Sequence, residues 1–247
     1  MHILSLSETW LNECWSDKIF AIDDYSLVRR DRSSGGRGGG TAIYVHSFIT
    51  YRVRHDLITD PALEYICVEL KLPFTAPVLI LNVYRPPSSN AKTETSLATF
   101  IENYVAQNKE CFVLRDFNII TLFVRSHSNR LLKSIHSLGL SQMVDKPTWV
   151  DVNSSTKGLF TSTSLIDHIY VSHVQNIVKV HVSDVTLNDH YPVFVIRRCN
   201  AGLRKRKNAR TTINYRSLKN FDQKKFKEDL AQTAWSIIES FDNPSDV

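Results

Sequence analysis

Several features are missing from this chain, and each absence narrows what it can be. The four cysteines, Cys14, Cys67, Cys111 and Cys199, lie far apart, and none forms a C-x-x-C pair. That spacing argues against a structural zinc site and against a small disulfide-stapled secreted fold, and it points to a reducing, intracellular setting. No run approaches the ~20 apolar residues that span a bilayer. The apolar opening stretch stops at Glu8, short of a signal-peptide core, so neither secretion nor membrane insertion is expected. No segment repeats, and no Gly-x-Ser-x-Gly or reactive-cysteine context offers a catalytic nucleophile. The run Gly35-Gly36-Arg37-Gly38-Gly39-Gly40 lacks the Gly-Lys-Ser/Thr ending of a phosphate loop and precedes a strand-like run. It therefore reads as a flexible turn.

What remains is an ordinary globular composition, 247 residues with 43% hydrophobic and 22% charged, enough for one large domain and an appendage. The formal charge of +5 is unevenly spread: residues 197–227 hold twelve Lys or Arg against Asp222 alone, and the chain before them is nearly neutral. A basic tail of this kind suits a polyanion or a nuclear address, densest at 204–207, with a solvated linker as the alternative.

Apolar runs at 41–46, 65–72, 78–84, 111–114, 165–171 and 191–196 read as strands. Residues 65–72 alternate as a half-buried strand does, whereas the last four runs are almost unbroken, as in strands buried on both faces. Helical spacing links Leu97, Phe100, Ile101, Tyr104 and Val105, and again Leu131, Leu132, Ile135 and Leu138, with Gly139 placed as a C-cap. The expected class is α/β, with sheets packed together and flanked by helices. The body should occupy residues 1–199, followed by a basic linker over 200–220 and an amphipathic helix over 221–247. Phe226, Leu230, Ala234, Ile237 and Phe241 share one face of that helix, and Asn220 with Gln223 forms a capping box at its start.

The most informative feature is where polar residues interrupt these runs. Glu8 follows a short apolar segment, Tyr84 ends the most apolar strand before Arg85-Pro86-Pro87, and Asp116 and Asn118 follow the run at 111–114. Asp167 interrupts a strand of Leu, Ile, Tyr and Val, and Asp189-His190 precedes the last strand. Singly, each has a bland explanation: a surface glutamate, an aromatic core residue, an Asp/Asn turn. Asp167 resists that treatment, because a carboxylate among apolar neighbours is costly unless paired, and His190 is the natural partner. Carboxylates, an amide and a histidine gathered at one sheet edge are what metal-assisted phosphodiester cleavage needs. Arg29, Arg30, Arg32 and Arg37 flank the glycine run as candidate contacts to a nucleic-acid backbone, with Arg85 a further candidate. The remaining histidines, His127, His136, His168 and His181 among them, show no ligand-like clustering.

Taken in order, Ser7-Glu8-Thr9-Trp10-Leu11, residues 29–45, residues 83–87, Asp116-Phe117-Asn118, Asp145-Lys146-Pro147-Thr148, residues 165–170 and Asp189-His190 resemble the endonuclease/exonuclease/phosphatase family. More closely, they are similar to the apurinic-endonuclease-type domain of non-LTR (LINE-like) retrotransposons. The resemblance covers residues 3–196, and 204–241 resembles the linker and helix preceding the reverse transcriptase there. It implies a four-layer α/β sandwich of two packed mixed sheets flanked by helices. It also implies a Mg²⁺-dependent enzyme, with Mn²⁺ as an alternative, that nicks DNA to leave a 3′-hydroxyl able to prime reverse transcription. By analogy Glu8 binds the metal with help from Asp189, Asp116 activates water, Asn118 orients the phosphate and Tyr84 contacts it. His190, paired with Asp167, stabilises the charge built in the transition state. DNA is the implied partner and element RNA a further one for the basic tail; oligomeric state stays open.

Three departures accompany the match. The family begins with a strand carrying an asparagine near the metal, and Met1 lies after that point, so the N-terminal strand is expected to be truncated. The family's glycine before the catalytic aspartate is Arg115, and its usual serine before the closing Asp-His is Asn188. These leave two alternatives open: a catalytically impaired relic that only binds nucleic acid, and a phosphatase of the same superfamily.

Overall fold

The computed structural model describes residues 1–32, 38–57, 63–86, 89, 91–107, 109–116, 130–155, 158–186, 188–199 and 221–232. Two compact units are present, Met1–Leu203 and Arg204–Val247. The first holds, in chain order, β1 (Ile3–Ser7), β2 (Tyr25–Arg30), β3 (Thr41–His46), β4 (Thr50–Val53), β5 (Glu64–Lys71), β6 (Val78–Tyr84), α1 (Ala91–Val105), β7 (Glu110–Asp116) and α2 (Arg130–Ser137). It continues with β8 (Ser141–Gln142), β9 (Trp149–Ser155), β10 (Gly158–Ser164), β11 (Asp167–Val171), β12 (Ile177–Val182) and β13 (Val193–Arg197).

The framework is a six-stranded sheet ordered β4-β5-β6-β7-β11-β8. It is mixed: β6 and β7 run parallel and its other pairs antiparallel. A parallel pair needs a long crossover, and α1 supplies it. One face of the sheet carries Tyr65, Cys67, Leu79, Leu81, Val83, Cys111 and Val113, packed against Leu97, Phe100, Ile101 and Tyr104 of α1 and Leu131, Leu132 and Ile135 of α2. The alternate residues Ile66, Val68, Leu70, Val78, Ile80, Phe112, Ile169 and Val171 face the other way. They meet Ile43 and Val45 of the three-stranded β1-β3-β2 sheet and Val182 of the two-stranded β12-β13 sheet. The smaller sheets are antiparallel throughout. Outside the three-stranded sheet lies the 3-10 turn Asp17–Phe20, whose Phe20 carbonyl accepts the Tyr44 hydroxyl at 2.9 Å. The layering is therefore the sandwich anticipated from the sequence, mixed sheet and flanking helices included.

Burial on both faces explains the unbroken apolar run of β6, all seven residues of which are buried. The one polar interruption, Asn82, spans the two layers by donating to the backbone carbonyls of Leu6 at 2.7 Å and Ala42 at 3.2 Å. The run at 191–196 is a correction. Among the described residues its strand, β13, pairs only with β12, and Phe194 and Ile196 are 44% and 52% exposed, so it is buried on one face. Gly139 closes α2 as expected, with φ +76° and its N–H on the His136 carbonyl at 3.0 Å. His168 is a core residue beside the Tyr170 hydroxyl at 3.3 Å, which accounts for its lack of ligand-like company.

In the second unit, α3 (Gln223–Gln232) begins differently from the expected capping box. Asp222 is the N-cap, its carboxylate accepting the N–H groups of Lys224 and Lys225 at 2.9 and 3.0 Å. Gln223 is thus the first helical residue, and Asn220 lies outside the described residues, as do Ala234, Ile237, Phe241 and residues 204–207. No helix among the described residues is long and apolar enough to cross a membrane.

Candidate active site

Four strands of the large sheet bring one polar residue each to the same row. β5 pairs Glu64 with Tyr84, β6 pairs Tyr84 with Asp116, and β7 pairs Asp116 with Asp167 of β11. Side chains alternate along a strand with period two, so all four share the face turned toward the smaller sheets. The row stands at the C-terminal ends of β6 and β7. There β1 hands over to Glu8, and the segment between β12 and β13 delivers Asp189 and His190. The structure thus brings together Glu8, Tyr84, Asp116, Asp167, Asp189 and His190. Asn118 and Arg37 lie outside the described residues.

Glu8 adopts the left-handed backbone, φ +53°, an uncommon conformation for a non-glycine residue. Its carboxylate accepts the Tyr84 hydroxyl and, at 3.4 Å, the indole N–H of Trp10. Burial, then the Glu8 hydrogen bond and the charges of Glu8 and Asp116, push the Tyr84 phenol well above its ordinary range. Tyr84 is a neutral hydroxyl at every physiological pH.

On the other side, His190 Nδ1 meets Asp167 Oδ2 at 2.8 Å. Burial works against the imidazolium, but the hydrogen bond and charge of Asp167, with Asp116 and Asp189 adding to it, prevail and raise His190 to about 9. His190 is therefore a cation at neutral pH, its Nδ1–H donating to Asp167. Asp189 accepts the Trp149 indole N–H at 3.0 Å on one oxygen and the Asn188 side-chain amide at 2.9 Å on the other. Asn188 sits at φ +61°. Asparagine tolerates that region better than serine does, which gives the Ser-to-Asn departure a local physical reason.

Two residues that hold the site were given no role from the sequence, although Thr148 ends one of the motifs that carry the resemblance. Thr148, fully buried, accepts the N–H groups of Ile166 and Asp167 on its hydroxyl at 3.2 and 2.9 Å. Its own N–H donates to the Ser164 carbonyl and its carbonyl accepts the Tyr191 N–H. One threonine thereby clamps the strand bearing Asp167 to the segment bearing His190. Glu64 accepts the Gly40 N–H at 2.5 Å and Arg32 Nε at 2.7 Å, and the Arg32 guanidinium lies 5.9 Å from the Tyr84 ring centroid. No local pattern announces either role, because their partners lie 16 to 43 positions away.

The glycine run needs correcting where it is described. Gly38, Gly39 and Gly40 all have positive φ, and the carbonyls of Gly39 and Gly40 accept the N–H groups of Trp10 and Thr9. A Cβ on Gly39 would stand 2.3 Å from the Arg32 guanidinium and one on Gly40 2.6 Å from Thr9 Oγ1, so these glycines permit close packing in a built platform. The arginines are also more committed than expected. Arg29 binds Asp17 at 2.7 Å and the Trp15 carbonyl at 2.6 Å, Arg85 binds Glu94 at 2.6 Å, and Arg30 lies over the Tyr65 ring. Arg29 and Arg85 are thus structural ion-pair residues in this fold. Arg115 continues the ladder between Val83 and His168, so the backbone before Asp116 does not call on glycine's extra freedom.

Among the described residues, Asp116, Asp167 and His190 place potential ligand atoms within 4.8 Å of one another. The carboxylates are hard oxygen donors suited to Mg²⁺ or Mn²⁺, whereas a protonated His190 offers no lone pair. Glu8 adjoins this cluster at Tyr84 and Asp189 adjoins it at His190. The donor chemistry fits a hard divalent cation.

Two outcomes follow. In EDTA, the His190 C2–H resonance should titrate with a midpoint near 9, and Asp167→Asn should bring it down by more than a unit; a wild-type midpoint near 6.5 would contradict the pairing. The folded-state value is raised, so this contribution to stability is complete below about pH 6.5 and is lost as pH rises through about 9. Thr148→Val keeps the shape but strips an acceptor from two buried N–H groups. It should cost about 2–4 kcal/mol in urea unfolding and lower the His190 midpoint, while Thr148→Ser retains most of both. Unchanged values in Thr148→Val would remove the clamp.

No protein-family model and no curated protein sequence matches the chain. Solved structures do. The endonuclease domain of TRAS1, a telomere-specific non-LTR retrotransposon, superposes with a TM-score of 0.60 at 15% identity over 80% of this chain and 86% of that one. The catalytic domain of Xenopus laevis APE2 gives 0.58 at 12% identity, covering 80% and 83%. An endonuclease/exonuclease/phosphatase family protein from Bacteroides thetaiotaomicron gives 0.52 at 17% identity, covering 78% and 82%. What these proteins share with the chain is the fold: it is an endonuclease/exonuclease/phosphatase-type α/β sandwich resembling the endonuclease domains of LINE-type retrotransposons.

Proposed function

We propose that the domain is a divalent-metal-dependent phosphodiesterase that nicks DNA and leaves a 3′-hydroxyl. The observation that carries this reading is the convergence of Asp116, Asp167 and His190 within 4.8 Å, in register with Tyr84. A bound Mg²⁺ or Mn²⁺, held by Glu8 with Asp189 beside it, would polarise the scissile phosphate. Asp116 takes a proton from the attacking water, with Asn118 orienting the phosphate. The water oxygen bonds to phosphorus as the bond to the 3′ oxygen breaks, and that oxygen takes a proton from solvent to become the new 3′-hydroxyl. The 5′ side keeps the phosphate. Charge builds on the non-bridging oxygens, where the His190 imidazolium, held at Nδ1 by Asp167, can donate from Nε2, and the neutral Tyr84 hydroxyl can donate once its proton turns from Glu8 to the phosphate. The basic segment after the body would add nonspecific attraction to DNA or element RNA and a nuclear address.

The test is conversion of supercoiled plasmid to nicked circle in Mg²⁺. Wild type should nick, EDTA should abolish it, and Asp116→Ala should slow it by at least about 10²-fold. A DNA polymerase should extend the nicks without prior end treatment. Nicking that survives EDTA or Asp116→Ala would sink the mechanism, and turnover of an inositol phosphate with none of DNA would make the domain a phosphatase instead.

A further inference from the structure

The end of the sandwich away from the catalytic row holds a cavity of about 320 Å³, near the lower size of small-ligand sites. Its walls come from the start of β7, the turn after β11 and the end of β13. β7 carries Glu110 at this end and Asp116 at the other, so six residues of extended chain, roughly 20 Å, separate the cavity from the candidate active site. Among the described residues, Lys109, Arg197 and Arg198 line it against a single carboxylate, Glu110, with His173 and Asn176 beside them.

That carboxylate is already satisfied. Glu110 is 8% exposed, its Oε1 accepts Arg197 Nε at 2.8 Å, and its Oε2 accepts Arg197 Nη2 at 2.6 Å and the Asn176 amide at 2.8 Å. Behind Lys109, Glu69 answers three cations at once: Lys109 at 2.7 Å, Arg54 at 2.8 Å and Arg52 at 3.0 Å, with Asp56 sharing Arg54. Positive charge is therefore in excess around the cavity. Arg198 is tied down by its backbone, with its N–H on the Asn176 carbonyl at 2.7 Å and its carbonyl accepting Arg197 Nη1 at 2.7 Å. Its guanidinium makes no hydrogen bond or ion pair among the described residues. His173 is set up as a donor too. Ser172 Oγ accepts the Cys111 N–H at 2.9 Å and meets His173 Nδ1 at 2.8 Å, so the hydroxyl proton goes to Nδ1 and the imidazole keeps its N–H on Nε2.

We propose that this cavity binds a backbone phosphate of a nucleic-acid strand, at a point remote from the bond that is cut. A concave site with an excess of one charge focuses its field on a counter-ion. Arg198 matches a phosphate with paired N–H groups, and Lys109 and the His173 Nε2–H add single donors. A strand is favoured over a free phosphate by what comes next in the chain. Arg197 and Arg198 are the first of the twelve Lys or Arg in residues 197–227, so the run that begins at the cavity carries ten further cations. The inference rests on the polyanion reading of that run and not on the phosphodiesterase reading. A phosphate held here lies too far from the catalytic row to be the one cleaved, so the domain would grip nucleic acid at two separate points.

The experiment is anisotropy titration of the full chain with a labelled dT12 single strand over a range of salt, in EDTA so that nothing is cut. Arg198→Ser and Arg198→Lys are compared with Lys18→Ser, which removes one exposed cation elsewhere, and thermal melting is the folding check. Arg198→Ser should weaken dT12 binding about fivefold and lower the slope of log K against log salt by about 0.7, the loss of one single-strand phosphate contact. Arg198→Lys should keep the slope, and Lys18→Ser should change neither. In wild type the His173 ring signals should move as dT12 is added. An Arg198→Ser curve that matches Lys18→Ser, or His173 signals that dT12 leaves in place, would overturn the site. Signals moved by inorganic phosphate and not by dT12 would make it a free-phosphate site and overturn the strand. If Arg198→Ser is silent while dT12 still binds with a steep salt dependence, the cavity loses its role and the basic run keeps its own. Wild type with no affinity for dT12 would remove both.

Discussion

Everything at the candidate site depends on strand register in the six-stranded sheet. Glu64, Tyr84, Asp116 and Asp167 occupy one row only because β5, β6, β7 and β11 pair as they do. A slip of one residue in β7 would turn Asp116 toward the helices and drive its apolar neighbours to the wrong face. Burial on both sides penalises such a slip: Cys111 and Val113 belong to the helical core and Phe112 to the core between the sheets. The parallel pairing of β6 with β7 is tied down by α1. Asn82 adds a polar key, since only in this register does it reach the carbonyls of Leu6 and Ala42.

A second constraint is electrostatic. Glu8, Asp116, Asp167 and Asp189 crowd toward one place, and like charges in a partly buried setting repel strongly. Among the described residues, the donors that meet Glu8 and Asp189 are neutral N–H and O–H groups and not lysines. Tyr84 and Trp10 serve Glu8, Trp149 and Asn188 serve Asp189, and the imidazolium of His190 serves Asp167. Neutral N–H and O–H donors leave the site's negative potential largely intact for a cation, while still fixing each carboxylate. The left-handed backbone at Glu8, Trp10 and Asn188 marks where this positioning strains the chain.

Much of this was readable in the amino-acid order, and what was not has a common cause. Runs buried on both faces identify themselves, which is why the strand at 78–84 is delimited to the residue. The expected pairing of Asp167 with His190 followed from the cost of a carboxylate among apolar neighbours, and the two do meet. Long-range partners leave no such trace. Arg29 and Arg85 look like free cations in the sequence because Asp17 and Glu94 are ordinary acids there. Thr148 looks like any threonine after a proline, although its hydroxyl serves two N–H groups 18 and 19 positions on. The strand at 191–196 misled for a different reason: apolar residues on an open face look the same in sequence as buried ones.

The central claim is that the row and the Asp167–His190 pair work as one centre, and a double-mutant cycle on the DNA cleavage rate tests it most directly. Asp167→Asn, His190→Gln and the double variant would be compared with wild type in single-turnover plasmid nicking. If Asp167 acts by fixing and charging His190, the double variant should be no slower than the slower single one. Effects that multiply would show two independent contributions and would contradict the shared centre.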